Sequence, residues 1–322
     1  MSNILLFTGL VEDEIGLVED LMRSSEEGAP QELKSALEIV IAAGGKRIRP
    51  TVSLLVGRIH NAQTEQLITM AAAIELLHNA TLVHDDLIDG SLLRRGAPTL
   101  NSKWSPGATV LTGDLLFARA AKLAADTNSV PAIKLFALTL TRIVGGELDQ
   151  LLNNNFILSR DDYFGRIYAK TGSLFETAAS TAAMISPVSC EIIEDMSSFG
   201  RMIGTAFQII DDILDFTGEQ VIIGKPIGSD LRQGLVTLPS LIYFEDHHND
   251  SFVREIKSGK IPNEDQLTSL IEGIRTSDSI QKAHIEARKF IDNALIKLEK
   301  IEKSVYKDAL EELALYIVDR KF

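Results

Sequence analysis

Apolar residues along this 322-residue chain recur every three to four positions, and strict apolar–polar alternation is rare. That spacing marks one face of an α-helix rather than a half-buried strand. It predicts helices near 11–24, 31–43, 50–60, 64–90, 107–125, 130–153, 161–168, 172–185, 190–217, 235–247, 264–275, 279–299 and 303–318. Gly44-Gly45, Pro98, Pro106-Gly107, Pro131 and Pro187 punctuate the pattern, as residues that turn or end a helix should. The stretch 224–234 reads as a polar, glycine-bearing loop. No linker, low-complexity tract or shift in composition divides the chain. The expected architecture is therefore all-α, a single-domain helical bundle over residues 1–322.

Composition narrows this reading. Apolar residues make up 45% of the chain and prolines number only nine, which suits a large helical core. The most apolar region, Met70 to Val83, is interrupted by Glu75 and His78 and reads as a buried helix. No run reaches the roughly 18 apolar residues of a membrane span, so none is expected. Ile4-Leu5-Leu6-Phe7 lacks a preceding basic region, so no secretory signal is expected. A net charge of −13 argues against a nucleic-acid partner, because such binding needs clustered Lys and Arg. Cys190 is the single cysteine, which points to a reducing, cytoplasmic location.

Two segments of the same form carry the chemistry: Asp85-Asp86-Leu87-Ile88-Asp89 and Asp211-Asp212-Ile213-Leu214-Asp215. Each reads D-D-x-x-D at the end of an apolar helical stretch. Carboxylates a turn apart repel, so gathering them twice implies a compensating cation. Positions four apart differ by about 40° around the helix axis, which puts Asp85 with Asp89, and Asp211 with Asp215, on one face. Asp86 and Asp212 lie about 100° from their neighbours and suit outer-shell or second-metal roles. An all-oxygen donor set suits Mg²⁺. Facing walls of this kind would hold Mg²⁺ and a phosphorylated substrate. The plain alternative is a pair of acidic helix ends.

Basic groups are placed against the overall charge. Gly44-Gly45-Lys46-Arg47-Ile48-Arg49-Pro50 sets three cations after two glycines. Glycine lets the backbone approach an anion, and arginine offers a planar fork to phosphate. A solvated basic loop is the alternative. Arg94-Arg95 follows the first acidic cluster, either as an anion contact or as a neutraliser of the nearby aspartates. His78 lies two turns before Asp85 and shares its face, as a diphosphate contact or as a packed side chain. Lys170-Thr171, Gln208 one turn before Asp211, and Lys225 are weaker candidates, each with an ordinary structural alternative.

Taken in order, GGKRIRP, HDDLIDGSLLRRG, YAKTGSLF, FQIIDDILDFTG and GKPIGSDLRQGLVTLP closely resemble the trans-isoprenyl diphosphate synthases, or polyprenyl synthetases. The resemblance runs from about residue 30 onward. It implies the isoprenoid-synthase helical fold with a central cavity, three Mg²⁺ per active site, and a homodimer. It implies Asp85, Asp89 and Asp211 as metal residues, with Asp86, Asp212 and Asp215 as helpers. It implies Lys46, Arg49, His78 and Arg95 for isopentenyl diphosphate. Arg94, Lys170, Thr171, Gln208 and Lys225 are implied for the allylic diphosphate. Arg320 resembles a tail arginine that closes over isopentenyl diphosphate in some members.

Product length is read from the level beneath the first cluster. Ala80 and Thr81 lie five and four residues before Asp85, or about 6–8 Å deeper along the helix. Relatives that make short products often carry a bulky aromatic there. Small residues imply an all-trans product longer than C20. Leu116, Phe117, Phe136 and Leu140 are candidates for a deeper floor, with core packing as their ordinary role. A greasy product would also bring the protein to a membrane surface at release. The alternatives are a farnesyl or geranylgeranyl diphosphate synthase, a terpene cyclase, and a non-catalytic synthase subunit.

Overall fold

A computed structural model describes residues 6–24, 31–42, 45–94, 96–152, 159–218, 226–258 and 262–320. The fold is all-α. Among the described residues the only sheet is a two-residue antiparallel ribbon, Leu93–Arg94 against Ala97–Pro98. Every helix predicted above is present, with ends displaced by a few residues. Ser251–Lys257 was not anticipated, because seven residues are too short to show a period. Its readable signal is the cap: the Asp250 carboxylate accepts the Phe252 and Val253 amides at 2.7 and 3.3 Å.

The chain divides into two compact units. One comprises Met1–Leu140, Leu174–Gly200 and Lys297–Leu313; the other comprises Thr141–Ser173, Arg201–Ile296 and Ala314–Phe322. The division falls inside the long helices Val130–Leu152, Cys190–Thr217 and Val305–Asp319.

The first unit is organised around Thr64–Ile88, which packs against Pro106–Asp126, Ile48–Ile59 and Glu12–Arg23. Its residues Met70 to Leu77, with Leu67, Ala80 and Val83, are all buried. By length and mean hydropathy this helix does qualify as a membrane span, contrary to the sequence expectation, yet 67% of its most apolar window is buried within the protein. A helix that is apolar all round belongs in a core. Close approach depends on small residues: a Cβ on Gly200 would lie 2.5 Å from the Phe175 carbonyl oxygen. In the second unit, Leu238–Asp246 packs on Ser279–Ile296. Arg160 clamps them, bonding Glu245 at 2.9 and 3.0 Å and Glu286 at 2.8 and 3.0 Å.

A buried ion-pair knot fixes the start of Ile48–Ile59. Arg47 takes the left-handed conformation at φ 48° and turns inward, 8% exposed. Its guanidinium donates to Glu19 at 2.7 Å, Glu75 at 3.1 Å and the Ile41 carbonyl at 2.8 Å. Burial alone would lower the Arg47 pKa, but Glu75 and Glu19 raise it above the usual value. Burial opposes the ionised form of Glu19, yet Arg47 and Arg23 hold its pKa below the usual carboxylate range. The middle cation of the basic loop is thus structural.

Removing one partner of such a pair strands the other in the core. Arg47→Met should lower unfolding stability by about 3–5 kcal/mol in a urea titration. Adding Glu75→Leu should recover most of that loss, because the uncompensated charge is removed as well.

Candidate active site

The two acidic clusters lie in different units, and each is built by its own surroundings. The first occupies the C-terminal end of Thr64–Ile88. Asp85 is half-buried, Asp86 is buried and Asp89 is exposed at the helix cap. The Asp89 amide donates to the Asp85 carbonyl at 2.8 Å, so the two outer aspartates stay one turn apart on the same face. Gly90, at φ 63°, then reverses the chain into the short ribbon that carries Arg94.

Arg94 returns to the helix and grips Asp86. Its Nε lies 2.9 and 3.1 Å from the two carboxylate oxygens, and Nη2 lies 2.9 Å from Oδ1. This is a charge-assisted, forked contact. The neutralising role allowed for Arg94 describes its position here. His84 also belongs to this end of the helix, although the sequence reading did not single it out. Its Nε2 lies 3.2 Å from the Val110 carbonyl and 3.5 Å from Asp114 Oδ1, and its ring meets Phe117. Gly113 makes room for it, since a Cβ there would fall 2.3 Å from that nitrogen. Its place directly before Asp85 was the available signal.

The basic loop divides its work. Lys46 is exposed, while Arg49 is half-buried with its guanidinium 4.8 Å from the centre of the Phe175 ring. His78 is half-buried, and its carbonyl accepts the Thr81 hydroxyl at 2.7 Å. Ala80 is fully buried. Leu116 and Phe136 are core residues as well. Arg95 and Lys225 lie outside the described residues.

The second cluster occupies the last turns of Cys190–Thr217. Asp211 is met by Arg320, whose Nη2 donates to Asp211 Oδ1 at 2.6 Å and to the Phe207 carbonyl at 2.7 Å. The same guanidinium covers the Phe207 ring at 3.9 Å. Arg320 thus sets a cation against Asp211 of the second cluster. Within the stretch expected to be a loop, Ser229–Arg232 forms a short helix, and Asp215 accepts its first two amides, Ser229 and Asp230, at 3.1 and 3.2 Å. Gly228, at φ 67°, donates to the Asp215 carbonyl at 2.9 Å.

Asp212 faces inward and is 3% exposed. Tyr163 Oη donates to its Oδ2 at 2.7 Å and Gln208 Nε2 donates to its Oδ1 at 2.9 Å. Burial first, and the Asp230 charge second, push its pKa up to about 8, against the pull of both hydrogen bonds. The Tyr163 phenol is raised well above its usual value, by burial and then by Asp212. Lys170 and Thr171 sit on a π-helical turn, Tyr168–Gly172, a form often found at functional sites. Lys170 pairs with Glu147 at 2.7 Å, and the Thr171 hydroxyl donates to Gln208 Oε1 at 2.7 Å. Sequence reasoning missed Tyr163 and the Glu147 contact, since neither belongs to a recognisable pattern.

Among the described residues no three His, Cys, Asp or Glu side chains converge as a closed metal cage. Half-buried and exposed carboxylates nonetheless fit Mg²⁺. This ion retains several waters and is held by one or two carboxylates together with substrate phosphates. In the first cluster Asp85 and Asp89, and in the second cluster Asp211, have that degree of exposure.

Comparison with known proteins agrees with this chemistry. The family model described as polyprenyl synthetase matches residues 30–274. The chain is 34% identical over 311 residues to component 2 of the heptaprenyl diphosphate synthase of Geobacillus stearothermophilus, covering 96% of this chain and 97% of that one. It is 34% identical over 290 residues to the octaprenyl diphosphate synthase of Haemophilus influenzae, covering 88% and 87%. Among solved structures, a polyprenyl synthase from Caulobacter crescentus CB15, complexed with calcium and isoprenyl diphosphate, superposes with a TM-score of 0.89 at 33% identity, covering 98% and 97%. The matched stretch contains both acidic clusters and the basic loop, and the chain belongs to the polyprenyl synthetase family.

Proposed function

We propose that this protein condenses an allylic diphosphate with isopentenyl diphosphate repeatedly and releases an all-trans polyprenyl diphosphate longer than C20. The observation that carries this reading is similarity to long-chain synthases over nearly the whole chain. The small, buried Ala80 beneath the first cluster supports it.

Three Mg²⁺ per site would stabilise the charge that grows on the departing diphosphate. Asp85, Asp89 and Asp211 would hold them, with Asp215 shaping the loop beside the second cluster. Lys46, Arg49, His78 and Arg95 would fix isopentenyl diphosphate. Arg94, Lys170, Thr171, Gln208 and Lys225 would fix the allylic diphosphate. Breaking the allylic C–O bond leaves a cation that the isopentenyl double bond attacks, and the new chain then gives up a proton to the released diphosphate. No side-chain nucleophile takes part. The cation must be kept from water, a task suited to the apolar residues flanking both clusters.

We also propose that the protein acts as a homodimer. Within the second unit, Val130–Leu152 exposes Val144, Leu148, Leu151 and Leu152 at helical spacing. Exposed apolar residues grouped on one stretch of helix are costly to leave in water and suit an interaction surface.

Incubation with farnesyl diphosphate and labelled isopentenyl diphosphate should give products beyond C20. Chains stopping at C20 would replace this reading with the short-chain alternative. Hydrocarbon formed without isopentenyl diphosphate would favour a cyclase. Ala80→Phe should shorten the product, and an unchanged distribution would show that the growing chain does not pass that residue. Asp85→Asn and Asp211→Asn should each lower kcat by roughly 10²–10³-fold, as for other groups aimed at developing charge, with the fold retained by circular dichroism. Light scattering should report a dimer that Leu148→Lys weakens. A monomer active at full rate would exclude the assembly.

A further inference from the structure

One chain of hydrogen bonds in the second unit ends on a residue with no place in the chemistry above. Thr171 donates to Gln208 Oε1, Gln208 Nε2 donates to Asp212 Oδ1, and Tyr163 donates to Asp212 Oδ2. Tyr163 is completely buried, as the largest side chain in the core to be so. It is carried by Arg160–Ile167, a short helix whose first residue is clamped by Glu245 and Glu286. The Arg166 guanidinium lies 5.7 Å from the centre of its ring. Tyr163 is therefore rigidly held, and its hydroxyl points at one carboxylate.

The order of donors and acceptors determines which way Gln208 faces. A glutamine amide presents a carbonyl on one edge and an NH₂ group on the other. In this chain the NH₂ group faces Asp212 and the carbonyl faces Thr171. One of the two amide hydrogens is spent on Asp212, and the second gives Gln208 the character of a donor toward an anion. Turned over, the same side chain would present its carbonyl oxygen, which a phosphate repels. Asp212, with both oxygens engaged inside the protein, acts on the amide.

We propose that Tyr163 is a positioning residue of the prenyl-transfer site: through Asp212 it holds the Gln208 amide with its NH₂ edge presented to the allylic diphosphate. The inference rests on the reading above that Gln208 contacts that substrate. It separates the roles of the second acidic cluster. Asp211 belongs to the metal, and Asp212 belongs to Gln208.

The test is steady-state kinetics on Tyr163→Phe and Asp212→Asn, together with calorimetric binding of an allylic thiodiphosphate. Tyr163→Phe removes the hydroxyl and keeps the ring. It should weaken analogue binding and raise KM for the allylic diphosphate by about 10-fold, within the 10–100-fold range typical of lost outer-shell partners. KM for isopentenyl diphosphate should stay unchanged. Asp212→Asn keeps the volume but leaves one acceptor oxygen where there were two, so it cannot accept from both Tyr163 and Gln208 and breaks the path that fixes the amide. Its effect should match that of Tyr163→Phe. The double variant should be no worse than either single one, because both act through one path.

Equal rises in both KM values, an unchanged allylic KM, or additive losses would overturn the proposal. So would an Asp212→Asn loss as deep as that of Asp211→Asn, which would make Asp212 a metal residue. If Tyr163→Phe does not fold, Asp212→Asn alone decides by the same criteria. A wild-type protein that transfers no prenyl group, or Gln208→Ala with unaltered analogue binding, would instead defeat the underlying reading of function.

Discussion

Three carboxylates within five residues repel one another, and the surroundings of both acidic clusters are arranged to contain that repulsion. The solution has the same form twice. In each cluster the second aspartate is buried and tied to an internal partner, Arg94 for Asp86 and the Tyr163–Gln208 pair for Asp212. The outer aspartates are left half-buried or exposed. A charged cluster that must accept metal cannot be fully neutralised in advance. Nor can it be left wholly uncompensated at the end of an apolar helix. Taking one carboxylate of three out of the contest meets both demands.

The partners differ in kind, and so do their consequences. Arg94 supplies a full positive charge through a fork. Tyr163 and Gln208 supply only dipoles, and Asp212 accordingly has a much raised pKa. Asp86 is thus held by charge and Asp212 by geometry. Arg320 adds a cation to the second cluster at Asp211. Elsewhere in the first unit the same principle governs Arg47, whose burial is tolerable only because Glu19, Glu75 and a carbonyl surround it.

Much of this was legible from the residues. Helical period, punctuation by Gly and Pro, and the two D-D-x-x-D segments located the helices and the carboxylates that share a face. The division between outer and inner aspartates followed from a 100° turn per residue. Partner identity was not legible. Which cation of Lys46, Arg47 and Arg49 turns inward depends on Glu19 and Glu75, each 28 residues away. Tyr163 is 49 residues from Asp212, and nothing in its neighbourhood announces the contact. Local pattern reads the face of a helix; it does not read what the rest of the chain brings to that face.

The spacing of those partners sets an order of events during synthesis. Asp86 meets its arginine only eight residues later, while Asp211 and Arg320 are separated by 109 residues. At roughly 5–20 residues per second, the first cluster acquires its cation almost as soon as it is made. The second waits on the order of ten seconds without it. For that interval the segment ending in Asp215 must carry its acidic cluster without the Arg320 contact that the folded chain supplies.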